Sequence, residues 1–144
     1  MRFCARAASR SSRFPAGQDP ITRSIGEFAG LIKTSIRVAA AARRLSVDAG
    51  RIRQRLRERS LYGLRPDGKW LLPAFQFDGD RMVPGIAEAL KRLHPELHPL
   101  EVEAFFLEPN EELAELREGD PISPRDWLLA GLDPAAVAQL AAEL

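Results

Sequence analysis

A chain of 144 residues and 16.0 kDa has room for one ordinary domain or two very small ones sharing a core, because domains usually run to about 100–150 residues; it is too short for a large enzyme. Its composition, 45% hydrophobic and 28% charged, is that of a globular polypeptide, and no apolar run approaches the roughly 20 residues that span a bilayer, so no membrane anchor is expected. The net charge of +1 hides a sorting of the two signs: residues 1–72 carry 16 Lys and Arg against 5 Asp and Glu, and residues 73–144 carry 5 against 15. The first half therefore suits a polyanion and the second a different, basic partner, with self-association through opposite charges as the competing use. The single cysteine, Cys4, can build neither a disulfide framework nor a multi-thiolate metal site within one chain, which fits a reducing cytoplasm.

Met1–Asp19 is rich in Arg, Ser and Ala without a sustained apolar period and reads as a disordered basic arm; its composition also resembles an organellar transit peptide. Ile21, Ile25, Phe28, Leu31 and Ile32 fall at helical spacing and predict a short supporting helix over Ile21–Lys33. Val38–Leu45 predicts an alanine-rich helix with Val38, Ala41, Ala42 and Leu45 on one face. Ser46-Val47-Asp48 interrupts it, and Asp48 caps a second helix reaching about Arg59. In that helix Ile52 and Leu56 face inward at i,i+4, while Arg51, Arg53, Gln54, Arg55, Arg57 and Arg59 occupy other positions. Five arginines beside one narrow apolar stripe repel one another. Only Asp48 and Glu58 stand nearby, so the neutralising charge is expected from outside, most economically from a nucleic-acid backbone.

Leu61–Pro73 reads as two short strands around an Asp67-Gly68 turn flanked by Arg65 and Lys69. A basic hairpin directly after a basic second helix is the arrangement of a winged helix-turn-helix, whose helix enters the major groove while the wing touches backbone or minor groove. Arg51, Gln54 and Arg55 are the expected base-contacting residues, since Arg and Gln bond guanine and adenine edges bidentately. Arg43, Arg57, Arg65 and Lys69 are the expected phosphate contacts. Trp70, between apolar neighbours, is expected in the core.

Beyond Phe77, Asp78-Gly79-Asp80 reads as a turn, and helices are predicted over Val83–Leu93, Pro99–Leu107, Pro124–Ala130 and Pro134–Glu143. The polar, acidic stretch running to Asp120 is assigned no helix of its own. The last helix is expected to expose Val137, Leu140 and Leu144 on one face, and Trp127 heads a stripe with Leu128, Leu129 and Leu132 that suits either core or a partner groove. The expected fold is mainly α: a winged helix-turn-helix over 20–77 with one small β-hairpin, then an all-α domain over 78–144.

Catalytic and metal chemistry find little footing. His94 and His98 have the spacing of helical metal ligands, but Pro95 and Pro99 interrupt a continuous helix and predict loop or cap roles. Glu108, Glu111, Glu112, Glu115 and Glu118 lack the glycine turn, the His or Cys partner and the apolar pocket that a cation site or an acid–base pair needs. Neither a nucleophile elbow nor a phosphate-cradling glycine loop is found. No enzyme activity, catalytic residue, metal or cofactor is expected.

Two stretches carry a resemblance. Val38–Pro73, through Ala-Ala-Arg-Arg-Leu-Ser-Val-Asp, Arg-Ile-Arg-Gln-Arg-Leu and Gly-Lys-Trp-Leu-Leu-Pro, resembles the winged helix-turn-helix of excisionase and MerR-type DNA-binding proteins. Leu100–Leu144 resembles the toxin-binding domain of Xre/MbcA/ParS-type antitoxins in Ala104-Phe105-Phe106, Glu108-Pro109-Asn110-Glu111-Glu112-Leu113, Ser123-Pro124-Arg125-Asp126-Trp127-Leu128 and Val137-Ala138-Gln139-Leu140. The chain departs from that family in having a wing, and Leu116-Arg117-Glu118-Gly119-Asp120 where a glycine-rich link is usual. The resemblance implies an antitoxin that binds a RES-domain toxin, which attacks NAD or uses it to modify a target, and that represses its own operon.

Two functional expectations follow. In the first, a cytoplasmic antitoxin-like regulator binds double-stranded operator DNA as a homodimer on a two-fold site and a RES-type toxin through Trp127, Val137, Leu140 and Leu144. In the second, a homodimeric module docks an acidic protein or RNA through the basic helix and does not read DNA sequence.

Overall fold

The computed structural model describes residues 20–144; the basic arm expected over 1–19, with Cys4, lies outside the described residues. The chain divides into two compact units, Met1–Lys33 and Thr34–Leu144. The described part of the first belongs to helix α1, Pro20–Thr34, on which Ile21 and Ile25 are exposed.

The second unit is mainly helical with small antiparallel strand pairs. Strand β1 (Ile36–Arg37) leads into α2 (Val38–Leu45) and α3 (Ala49–Arg57). Strand β2 (Leu71–Leu72), a 3-10 turn (Ala74–Gln76) and the hairpin β3 (Phe77–Asp78) and β4 (Arg81–Met82) follow. Helices α4 (Ile86–Arg92), α5 (Pro99–Leu107), α6 (Glu111–Arg117), α7 (Pro124–Leu129) and α8 (Pro134–Ala142) complete the chain.

Two apolar clusters hold this unit together. Ala41 and Ala42 of α2 meet Ile52 and Leu56 of α3, with Leu61, Leu72 and Phe77 closing the cluster. Small alanines let the two helices approach, and truncating Ile52, which is fully buried, would cost about 2–5 kcal/mol. The larger cluster gathers Val83, Ile86, Leu90, Val102, Phe106 and Val137 from β4 onward, together with Phe75. Met82 packs against both, and the boundary expected after residue 77 falls inside β3.

Several elements differ from expectation. The wing is reduced to one antiparallel bridge, Leu64 with Leu71, and β2 also pairs with β1 in the register Ile36 to Leu72 and Arg37 to Leu71. A two-residue strand has no apolar period for sequence reading to find. The same holds for β3 and β4, paired Phe77 to Met82 and Asp78 to Arg81, which flank the turn expected at Asp78-Gly79-Asp80 in a half otherwise expected to be helical. Helix α4 starts at Ile86 instead of Val83, since Pro84 precedes Gly85, which adopts φ 76°. A Cβ on Gly85 would lie 2.8 Å from Pro134 Cβ and Cγ, so glycine permits the contact with α8. Helix α6 occupies the acidic stretch for which no helix is expected: Asn110 Oδ1 accepts from the N–H groups of Glu112 and Leu113, and Leu113 and Ala114 are buried. Val137 is not on an exposed face; it is fully buried, and Trp127 is buried with it, because α8 packs that face onto the larger cluster.

A buried amide ties the helix-turn-helix to the helical body. Gln76 is fully buried; its Oε1 accepts from Tyr62 N–H at 2.8 Å, and its Nε2 donates to Tyr62 O at 2.7 Å and Pro73 O at 3.1 Å. From α7, Arg125 Nε donates to Phe75 O and its Nη2 to Phe77 O, both at 2.7 Å. Phe75 stacks on Phe106 with centroids 5.1 Å apart, and Tyr62 lies 6.1 Å from Phe75. Burial pushes the Tyr62 hydroxyl from 10.0 up to about 12.

Replacing Gln76 by Leu leaves the Tyr62 N–H and carbonyl and the Pro73 carbonyl without their side-chain partner, so Gln76→Leu should lower unfolding free energy by about 2–4 kcal/mol in urea melts; a loss under about 1 kcal/mol would show that the amide is not a tie. Tyr62 is the one tyrosine of the chain, so phenolate absorbance reports it alone. It should ionise near 12 in the folded protein and near 10 in denaturant. The unfolded chain then loses this proton first, and stability falls as pH climbs above about 10. Ionisation of the native protein at the ordinary tyrosine value would contradict the burial.

Candidate nucleic-acid interface

Helices α2 and α3 form a helix-turn-helix whose turn is built locally. Ser46 takes φ 57° and ends α2 with its N–H directed to the Ala42 and Arg43 carbonyls. Val47 N–H returns to Ala42 O at 3.0 Å. Asp48 Oδ1 then accepts the Arg51 N–H at 2.8 Å, fixing the first turn of α3. Such a cap contributes about 1 kcal/mol. It offsets the like-charge pairs Arg51/Arg55 and Arg53/Arg57, each worth roughly 0.2–0.5 kcal/mol against the helix.

With Ile52 and Leu56 turned inward, the opposite face of α3 presents an ordered polar row. Arg51 Nη1 donates to Gln54 Oε1 at 3.0 Å, and Gln54 Nε2 donates to Glu58 Oε2 at 3.0 Å. Arg51, Gln54 and Arg57 are exposed, whereas Arg55 is half-buried at the edge of the face, where Ser60 N–H and Oγ bond its carbonyl. Arg43, on the last turn of α2, is exposed. Among the described residues the ion pair formed is Arg81–Asp78; none involves an arginine of α3.

The wing supplies two further cations with different surroundings. Arg65 lies over Trp70, with Cζ 4.9 Å from the ring centroid, and donates to Gly68 O at 3.2 Å, so part of its work is to close the turn. Trp70 is half-buried against the first cluster. A Cβ on Gly63 would sit 2.7 Å from Leu56 Cδ2 and 2.9 Å from Trp70 Cε3, so glycine lets the wing base lie against α3. Lys69 is exposed, and the fold brings it to one shallow basin with Arg37 and Arg53, beside the first residues of α2. Arg37 and Arg53 were not among the expected contacts. Their one sequence signal is position: Arg37 precedes α2, and Arg53 follows the inward Ile52.

The expected partner residues separate. Trp127 and Val137 are core side chains, and Trp127 Nε1 donates to Asp133 O at 2.8 Å, holding the α7–α8 turn. Leu140 is half-buried and Leu144 exposed. Leu140 lines a groove between α6 and α8 with Leu116, edged by Glu112, Glu115 and Glu143. His98 caps α5, its Nδ1 accepting the Leu100 N–H while Glu101 accepts the His98 N–H. Among the described residues no group of three His, Cys, Asp or Glu side chains could hold a metal ion, and no helix is long and apolar enough to cross a membrane.

These features define a helix-turn-helix module with a short wing, joined to a body of five helices. No family model matches the chain, and no curated protein matches it. Among solved structures it is similar to the NMR structure of Rv2175c, with a TM-score of 0.54 and 25% sequence identity over 76% of this chain and 79% of that chain. That coverage exceeds what the helix-turn-helix and wing contain, so the likeness in fold takes in part of the helical body.

Replacing Asp48 by Ala should destabilise the protein by about 1 kcal/mol, measured in urea melts, and increase amide exchange at Arg51 and Ile52 ahead of the rest of α3. Unchanged protection of those amides would remove the cap from this account.

Proposed function

We propose that this chain is a cytoplasmic DNA-binding transcriptional regulator of the antitoxin kind, reading operator DNA through α3 and binding a partner protein, a RES-type toxin, through its C-terminal helices. The observation that carries the DNA reading is the outward row of α3: Arg51, Gln54 and Arg57 stand exposed on a helix whose other face is buried and whose first turn is capped. A fixed helix presenting Arg and Gln can bond base edges in the major groove. Arg37, Arg53 and Lys69 form the phosphate side of the interface, together with Arg43 and Arg57. The first turn of α2 has no side-chain cap, so its N–H groups add attraction for a backbone phosphate.

The partner reading rests on the groove of Leu116 and Leu140, with Leu144 exposed at the chain end. One module contacts only a few base pairs, so two copies are proposed on a two-fold site.

The test is competition binding of the full chain on its own upstream DNA against scrambled duplex, at about 0.15 M salt. The wild type should prefer the upstream DNA with two copies per site. Arg51→Ala with Gln54→Ala should erase the preference, at about 1–3 kcal/mol per lost base contact. Arg37→Ala with Lys69→Ala should weaken both duplexes alike and reduce the log–log salt slope by about 1 per charge removed. Equal binding of both duplexes by the wild type, or none, overturns the operator reading in favour of a protein- or RNA-docking surface.

A further inference from the structure

Behind α3 the fold leaves a cleft of about 170 Å³ between the helix-turn-helix and the helical body. Its walls are apolar: Leu56 from α3, Trp70 from the wing, Leu90 from α4, and Leu97 and Val102 around the start of α5. An apolar cavity of roughly 150 Å³ takes up benzene, so this one has the capacity of a single aromatic ring.

Three residues with polar side chains are among those lining the same cleft: Arg59, Tyr62 and His94. Arg59 takes φ 63°, a left-handed conformation that glycine would hold at lower cost. One of its Nη atoms donates to Leu93 O, which leaves further guanidinium N–H donors. His94 Nδ1 accepts the Glu96 N–H at 3.1 Å, so the neutral ring carries its proton on Nε2 as a donor. The Tyr62 hydroxyl, pushed up to about 12, remains an O–H donor through neutral pH. Among the described residues no carboxylate lines the cleft. The lining thus offers donors and a positive charge to an acceptor-rich anion, and an apolar slot to a flat ring.

We propose that this cleft is a binding site for a small single-ring aromatic carboxylate, with the ring against Leu97 and Trp70 and the carboxylate on Arg59. The site stands on its own geometry and does not require the DNA reading. Leu56 and Trp70 belong to α3 and the wing, so an occupant would sit directly behind the outward row.

The experiment is an NMR titration of the full chain with benzoate, following the Gly63 amide and the two tryptophan indoles. Saturable shifts are expected at Gly63 and Trp70 with a dissociation constant of about 1 mM or tighter, while the Trp127 indole, in the core, stays unmoved. Benzyl alcohol, which keeps the ring and lacks the charge, should bind about tenfold more weakly. Arg59→Gln should weaken benzoate by a similar factor; His94→Ala, at an exposed position, should weaken it less and guards against a folding defect from loss of the Arg59–Leu93 bond. Shifts that rise linearly without saturation, shifts shared equally by Trp127, or benzyl alcohol binding as tightly as benzoate would overturn the proposal.

Discussion

The side-chain amide of Gln76 lies where the chain leaves the wing and begins the helical body, and both halves are built around it. A buried amide is costly unless its donors and its acceptor find partners. Here the carbonyl takes Tyr62 N–H and the amino group serves Tyr62 O and Pro73 O. In effect the amide pairs with the Tyr62 backbone as a strand would, where no strand runs. Arg125 grips the carbonyls on either side, Phe75 and Phe77, so the segment is held from the helix-turn-helix and from α7 at once. Phe75, between these bonds, sends its ring across to Phe106, adding contact worth about 0.5–1.5 kcal/mol beyond area burial. Polar satisfaction and aromatic packing therefore constrain the same short segment, residues 73–77.

That junction explains how so small a helix-turn-helix can hold a basic helix of nine residues. Helix α3 has two fully inward side chains, Ile52 and Leu56, and its like-charged neighbours work against it. Its stability comes from tertiary packing on α2 and from the Asp48 cap more than from its own propensity. Two residues beyond it, Arg59 adopts a left-handed conformation and reaches the Leu93 carbonyl of the body. The helix is thus anchored at its first turn by a local cap and at its end by the helical body.

Charge is sorted along the sequence and stays sorted in the fold. The arginines of α3 have no ion pair with a described carboxylate, although the second half carries 15 acidic residues. Several of those acids serve within their own half: Asp78 pairs with Arg81, Glu101 completes the cap of α5, Asp133 Oδ1 accepts from Ala135 N–H at the start of α8, and Glu112 and Glu115 edge the α6–α8 groove. Within α3 the row Arg51–Gln54–Glu58 holds its members to one another, so a partner arriving there exchanges existing hydrogen bonds for its own.

The sequence alone determined those parts whose signal is local. The limits of α2 and α5 follow from capping residues, proline positions and a helical apolar period, and they coincide with the observed Val38–Leu45 and Pro99–Leu107. The inward pair Ile52 and Leu56, the Asp48 cap and the charge on α3 were legible for the same reason. Tertiary structure alone decided the rest. Two-residue strands have no period, so the β1–β2 pairing could not be read, and α6 shows only Leu113 and Ala114 as its buried residues. Amphipathic spacing says which face of a helix is apolar but not what covers it: Val137 and Trp127 are covered by their own chain, while Leu144 is 52% exposed. Arg37, Arg53 and Lys69 meet, and the cleft behind α3 exists, only because distant segments are brought together, a relation that no local window of sequence contains.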